Sequence, residues 1–150
     1  MSLSSYASRA RLARPFLAIA FVSALASCGG DVSLQIPNSW TLQTADGAAL
    51  PFTVPNAQHD IVITSATANV ADNNTYTMTY TGTTDGTPGV VVTDHGSWTI
   101  GSSTFVFRSD VLSGQTYIAA LVGSTFRAAV PGALFGSSTQ TFEMLFSSAQ

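Results

Sequence analysis

The stretch TYTMTYT, residues 75–81, decides the fold class of this chain of 150 residues. Threonine alternates with a larger residue, so the threonines fall on one face and Tyr76, Met78 and Tyr80 fall on the other. Successive side chains of a β-strand point to opposite faces, and a period of two therefore predicts a strand with one buried side. We expect the three larger residues to face the interior of a sheet.

Similar β-favouring segments continue on both sides of this stretch, separated by turn signals such as Asp46-Gly47 and Gly123-Ser124. The predicted strands cover residues 39–43, 61–70, 75–81, 90–100, 103–109, 115–122, 125–130 and 139–146, with a short extension at 50–54 and loops at 85–89 and 131–138. No helical spacing of apolar residues follows residue 30, so no substantial helix is expected. Short connections favour antiparallel neighbours, and about eight such strands lose their exposed edges by closing into an up-and-down barrel.

The alternation also assigns side chains to the inside and the outside of this barrel. Arg127 and Glu143 are expected outside, on adjacent strands, as a surface ion pair that adds little stability. Asp94 is ambiguous: either it points inward with Trp98 and its charge needs a partner, or Gly96 bulges the strand and resets the register. We expect the bulge. The inward set comprises Tyr76, Met78, Tyr80, Trp98, Phe105, Phe107, Phe126, Phe142, Met144 and Phe146.

Three short motifs spread over most of residues 39–130: SWTL at 39–42 with DGAALP at 46–51, GSWTIG at 96–101, and FR at 126–127. Together they resemble small bacterial lipocalin-like domains, and the resemblance implies a barrel or half-barrel without implying a particular ligand. Eight-stranded barrels are either filled by their own side chains or hold one small ligand. A filled core is expected here. The alternative is a small apolar ligand lined by Tyr76, Tyr80, Trp98, Phe105 and Phe107.

The first 27 residues have the layout of a secretory signal. Three arginines precede an apolar run at 15–25. A membrane-spanning helix needs about 20 apolar residues, so this run is too short to be one. The alternatives are an ordinary cleaved signal, which would leave a free thiol at Cys28, and the signal of a lipoprotein.

The run ends in LASC, residues 25–28, which resembles the lipobox of bacterial lipoproteins. That resemblance implies cleavage before Cys28, lipid on its thiol, and a membrane as partner through that lipid. Two or more acyl chains hold a protein stably, whereas one holds it only marginally. Residues 28–38 would then be a tether to a domain at 39–150. Glycine directly after the cysteine implies the outer membrane, facing the periplasm.

Composition and spacing argue against several kinds of chemistry. From Cys28 onward two arginines stand against eight acidic residues, a net charge of −6, so nucleic acid is not an expected partner. His59-Asp60 and Asp94-His95 suggest a metal, but neighbours along a strand point to opposite faces, so neither pair converges and no metal is expected. The chain has no G-x-S-x-G elbow, no phosphate-binding loop and a single glutamate, Glu143, so neither catalysis nor a cofactor is expected.

These observations lead to three hypotheses of different kinds. The first is a non-catalytic, lipid-anchored envelope protein with a structural role or a role in contacting other envelope proteins. The second is a carrier of a small hydrophobic molecule inside the barrel. An enzyme is the third and is not expected. A filled interior would favour the first hypothesis, and a cavity would favour the second.

Overall fold

The computed structural model describes residues 39–101, 103–137 and 140–148, and most of them lie in β-strands. The predicted signal segment, the predicted tether and Cys28 lie outside the described residues. Within the described ranges the helical content is a single 3₁₀ turn, Gly132–Phe135. The strands are β1 (Ser39–Ala45), β2 (Ala48–Ala49), β3 (Phe52–Thr53), β4 (Ile61–Val70), β5 (Thr75–Thr84), β6 (Thr87–Ile100), β7 (Thr104–Ser109), β8 (Thr116–Val122), β9 (Thr125–Pro131) and β10 (Thr141–Ser148).

The sheet closes on itself, as predicted. From β4 to β10 each strand pairs antiparallel with the next one along the chain. The first strand, β1, pairs with both β10 and β4, and Trp40 lies opposite Ser148 on one side and Ala68 on the other. The result is an eight-stranded up-and-down barrel made of β1 and β4 to β10. Closure satisfies the backbone groups that would otherwise lie along two open edges.

The two ends of the barrel are built differently. The amino end, where β1 begins, carries the tight turns that join β4 to β5, β6 to β7 and β8 to β9. The helix end, where β1 finishes, carries residues 46–60, the β5–β6 turn, the β7–β8 loop and the 3₁₀ turn. Towards the helix end β1 and β4 separate, and the short strands β2 and β3 pair with one of them each. Alternating strand directions therefore determine which loops share a surface.

The predicted inward set is confirmed, because all ten of its side chains are buried. Their rings meet across the interior: the ring centroids of Phe107 and Tyr76 are 4.7 Å apart, and those of Trp40 and Phe126 are 4.9 Å apart. Burying one such side chain is worth roughly 1.5–3 kcal/mol relative to leaving it exposed. The aromatic interior is therefore a major source of the barrel's stability.

The segment predicted as a loop at 131–138 does more than connect two strands. Pro131, with its φ of −63°, ends β9 and precedes the 3₁₀ turn. Gly136 ends that turn in the left-handed conformation, at a φ of 73°. Between them Leu134 and Phe135 are buried in the core. The ring of Phe135 packs edge-on against Tyr80, with centroids 5.0 Å apart, so this segment covers the interior at the helix end.

The predicted loop at 85–89 is shorter than expected. Thr84 lies opposite Thr87, so only Asp85 and Gly86 form the connection between β5 and β6. Both residues have positive φ, 50° and 78°, which is the backbone of the tightest hairpin turns. An Asp-Gly pair favours that conformation, and the two strands extend to the turn as a long hairpin.

The bulge expected at Gly96 is wrong. The irregular pairing in β6 lies earlier, because Tyr80 is opposite Val92 and the next residue of β5 is opposite Val90, which leaves Val91 unpaired. Asp94 therefore points inward and is completely buried. Gly96 has a different role: a Cβ built on it would lie 2.0 Å from the carbonyl oxygen of Arg108, so glycine allows β6 and β7 to approach closely.

Candidate functional site

The most distinctive feature of the interior is a charged residue surrounded by hydroxyl groups. The carboxylate of Asp94 has 0% exposure. Its Oδ2 accepts hydrogen bonds from the hydroxyls of Tyr76, at 2.8 Å, and Tyr117, at 2.7 Å. Its Oδ1 accepts one from Ser109 Oγ at 2.5 Å. We call these four residues the Asp94 cluster.

Strand register explains why the cluster forms. The four residues come from four successive strands, β5 to β8. Gly96, two residues after Asp94 and on the same face, lies opposite Tyr76 on one side and opposite Ser109 on the other. Tyr117 is one strand further and lies opposite Phe107. The pairing of β6 with β5 thus places Tyr76 beside Asp94, the close approach of β6 and β7 at Gly96 places Ser109 there, and Tyr117 reaches it from β8.

Hydrogen bonds, rather than a cation, offset the free-energy cost of burying the carboxylate of Asp94. A buried ionised group is costly unless it is paired or hydrogen-bonded. The arginines of the described residues, Arg108 and Arg127, both expose their side chains. Burial raises the pKa of Tyr117 far above its usual value, and the charge of Asp94 adds to that rise. Burial raises the pKa of Tyr76 in the same way, so both phenols remain protonated donors well into the alkaline range.

Weak contacts with sulfur and with apolar rings surround the Asp94 cluster. The hydroxyl of Tyr117 is 3.5 Å from the Sδ of Met78, and the hydroxyl of Tyr80 is 3.8 Å from the same sulfur. The pKa of Tyr80 is also raised, first by burial and then by the charge of Asp94. Phe107 covers one side, with its ring centroid 5.5 Å from that of Tyr117. The polar cluster is therefore enclosed by apolar and sulfur-containing side chains.

The five residues predicted to line a ligand are all buried in the barrel, and they fall into two groups. Phe105 connects the rings of Trp98, at 5.5 Å between centroids, and Phe107, at 5.7 Å. Phe107 in turn contacts Tyr76, so these four residues form one continuous group. Tyr80 does not share a ring contact with them and packs against the 3₁₀ turn instead. All five side chains therefore pack against other aromatic rings of the barrel interior.

Sequence reasoning missed Ser109 and Tyr117 and misjudged Asp94. A signal was present, because Ser109 continues the inward face of Phe105 and Phe107 by one further step of two. Tyr117 lies at an inward position of the next strand. An acidic residue on an inward face, with hydroxyl residues on the inward faces of neighbouring strands, is the pattern of a satisfied buried carboxylate.

The structure shows no hydrogen bond between either histidine and the aspartate next to it in the sequence. His59 Nδ1 lies 2.8 Å from Asp85 Oδ2, and the backbone N–H of Asp60 donates to Asp85 Oδ1 at 2.9 Å. These two hydrogen bonds, the backbone one first, lower the pKa of Asp85. His95 is exposed on the opposite side of β6 from Asp94. Among the residues that the structure describes, no group of three or more potential ligands is placed to hold a metal ion.

The outer wall carries a groove of about 350 Å³ over β8, β9 and β10. The predicted pair is confirmed there: Arg127 Nη1 lies 2.8 Å from Glu143 Oε1, and both side chains are more than half exposed. Ile118 gives the groove an exposed apolar side chain. The groove is lined by Asp46, Ile118, Ala120, Arg127, Ala128, Ala129, Thr141 and Glu143.

One buried donor is unsatisfied within the part of the chain that the structure describes. Trp40 has 0% exposure, and its indole Nε1 has no hydrogen-bond acceptor there. Trp98 differs, because its Nε1 donates to the carbonyl oxygen of Ala71 at 3.0 Å. A buried donor without an acceptor is uncommon in proteins and requires an explanation.

Comparisons with known proteins found no match. No protein-family model, curated protein or solved structure matches this chain. Across the described residues no helix is long and apolar enough to cross a membrane. The geometry of the barrel and the residues of the N-terminal motif are therefore the basis of the functional proposal.

Proposed function

We propose that this protein is a non-catalytic, lipid-anchored envelope protein that acts through the outer surface of its barrel. The observation that carries the proposal is the close packing of aromatic rings inside the barrel. The ring centroid of Phe107 lies 4.7 Å from that of Tyr76, 5.5 Å from that of Tyr117 and 6.3 Å from that of Phe126. Because the protein's own rings occupy this space, contacts with another molecule are left to the wall and the ends of the barrel.

The anchoring part of the proposal rests on the sequence around Cys28. A basic segment, a short apolar run and LASC resemble the export signal of bacterial lipoproteins. Acyl chains on Cys28 would hold the barrel at the membrane surface, and the glycine that follows favours the outer membrane, facing the periplasm. The closed eight-stranded barrel supports the further inference that the domain is lipocalin-like. Partners of this protein would then be other envelope proteins.

Fractionation of cells tests the anchor directly. We expect the wild-type chain in the membrane fraction and Cys28→Ser in the soluble fraction or unprocessed with its signal attached. Ser33→Ala, a change of similar size in the predicted tether, is the matched control and should stay with the membrane. A processed Cys28→Ser chain that remained with membranes as fully as the wild type would contradict the proposal.

A second candidate function is the carriage of a small hydrophobic molecule, and the unsatisfied donor on Trp40 favours it. A ligand with an acceptor atom would complete that hydrogen bond and would lie close to Phe126, whose ring centroid is 4.9 Å from that of Trp40. Ligands that bind only the folded state raise its stability by mass action. Protein refolded from denaturant would then melt at a lower temperature than protein purified without unfolding. Equal melting temperatures would argue against a carried ligand.

A further inference from the structure

The two ends of the barrel differ in charge. The helix end carries four exposed aspartates and Arg108, whose guanidinium lies beside the β7–β8 loop, so its net charge is −3 with histidine neutral. The aspartates are Asp46, Asp60, Asp85 and Asp110. The turns of the amino end include one charged residue, Asp72. An anionic surface would repel the helix end much more strongly than the amino end.

The amino end also presents apolar side chains at its turns. Val122, at the start of the β8–β9 turn, is 69% exposed, and Ile100, at the end of β6, is 38% exposed. These turns are neighbours, because the backbone N–H of Leu121 donates to the carbonyl oxygen of Ser103 at 2.9 Å. The helix end has exposed valines as well, Val90 at 62% and Val111 at 43%, but they share that end with the four exposed aspartates. Among the described residues, the amino end alone combines exposed apolar side chains at its turns with little charge.

The chain enters the barrel at this same end. Ser39 is the first residue of β1, and eleven peptide units connect it to Cys28. Fully extended, that segment spans at most about 40 Å, which is longer than a strand of eight residues at roughly 27 Å. The tether therefore permits the barrel to touch the membrane without forcing one orientation. The orientation must therefore be set by how charges and exposed apolar side chains are distributed over the barrel.

We infer that the amino end of the barrel rests against the bilayer, with Val122 and Ile100 in the headgroup region and the acidic helix end facing away. This inference rests on the proposed lipid anchor at Cys28. The partner that contacts the amino end is thus a lipid surface. The helix end and the groove over β8 to β10 are left accessible to envelope partners.

Fluorescent labels at the two ends test the orientation in the full chain. Once Cys28 is acylated, an introduced cysteine is the only free thiol, because the chain has a single cysteine. Val122→Cys and Ser124→Cys place a bimane label at the amino end, and Thr87→Cys places one at the helix end. The acylated proteins are reconstituted into vesicles of phosphatidylethanolamine and phosphatidylglycerol that contain nitroxide-labelled lipid.

We expect several-fold stronger quenching by the nitroxide lipid at positions 122 and 124 than at position 87. Adding Val122→Asp to the Ser124→Cys chain should reduce quenching at 124, whereas adding Val111→Asp at the helix end should leave it unchanged. Equal quenching at both ends of a vesicle-bound chain would contradict the proposed orientation but not the lipid anchor. A chain that did not associate with the vesicles would overturn both the orientation and the proposed anchor.

Discussion

At the scale of single residues, Asp94 shows how a carboxylate can lie in an apolar barrel without a cation. Three hydroxyl donors from three other strands satisfy it. Hydrogen bonds to a charged group are worth about 1.5–3 kcal/mol each, so their sum offsets a large desolvation cost. The same residue illustrates the limit of sequence reasoning. Strict alternation directed Asp94 inward, but we expected a bulge at Gly96 instead, because the hydroxyl partners Ser109 and Tyr117 could not be placed beside the carboxylate from the sequence.

Replacing Asp94 with asparagine should destabilise the barrel. The amide nitrogen donates where the carboxylate accepts, so at least one hydroxyl of the cluster loses its acceptor. We expect the free energy of unfolding in urea to fall by about 1–3 kcal/mol. Asp72→Asn, at an exposed turn, is the control and should change it by less than about 0.5 kcal/mol. An Asp94→Asn protein as stable as the wild type would show that the carboxylate charge is not required.

The buried tyrosines predict how stability depends on alkaline pH. Tyr76, Tyr80 and Tyr117 are the tyrosines that follow Cys28, and burial raises the pKa of each above the ordinary value of 10.0. Below that pH both states hold these protons. Above it the unfolded chain releases protons that the folded chain keeps, so folding stability is lost as pH rises.

Absorbance at 295 nm during a pH titration measures this directly. Phenolate absorbance of the processed chain should rise together with the loss of β-sheet circular dichroism, in one transition above pH 10. Tyr117→Phe should reduce the absorbance change by about a third and leave the two signals coincident. Phenolate that formed near pH 10 while the circular dichroism stayed native would contradict the buried positions of these rings.

At the scale of elements, most strand positions could be predicted and the irregular parts could not. Period-two alternation identified β5 well, because the side chains of Tyr76, Met78 and Tyr80 differ clearly in size from the threonines between them. The bulge at Val91 lies in a run of three valines, where no contrast marks a change of face. The 3₁₀ turn has a glycine at each end, so the sequence resembled a loop, while Leu134 and Phe135 make it a cover for the core.

Gly96→Ala tests the close pairing of β6 and β7. The added Cβ would lie 2.0 Å from a backbone oxygen of β7, so the strands must separate and the Asp94 cluster must open. We expect a loss of at least about 1–3 kcal/mol in the free energy of unfolding, as for other overpacked sites. Gly101→Ala is the control, because its nearest neighbour would be 3.9 Å away. Equal effects of the two variants would contradict the account of Gly96.

At the scale of the whole molecule, the topology could be predicted from the sequence and the packing of the interior could not. Short turns between strands of similar length leave few arrangements other than a meander, and closure follows from the need to satisfy edge strands. The sequence cannot state whether such a barrel is filled, since that depends on how rings from distant strands fit together. Phe107 and Phe126 come from strands that are not neighbours, yet they meet inside the barrel.

Native mass spectrometry of the protein extracted gently from membranes tests whether the barrel is filled by its own side chains and acts through its outer surface. A filled barrel should give one mass, equal to the polypeptide from Cys28 onward plus its covalent acyl chains, and the same mass after denaturation. An additional mass present in the native spectrum and lost on denaturation would contradict it. That result would identify the protein as a carrier and would reveal the molecule it holds.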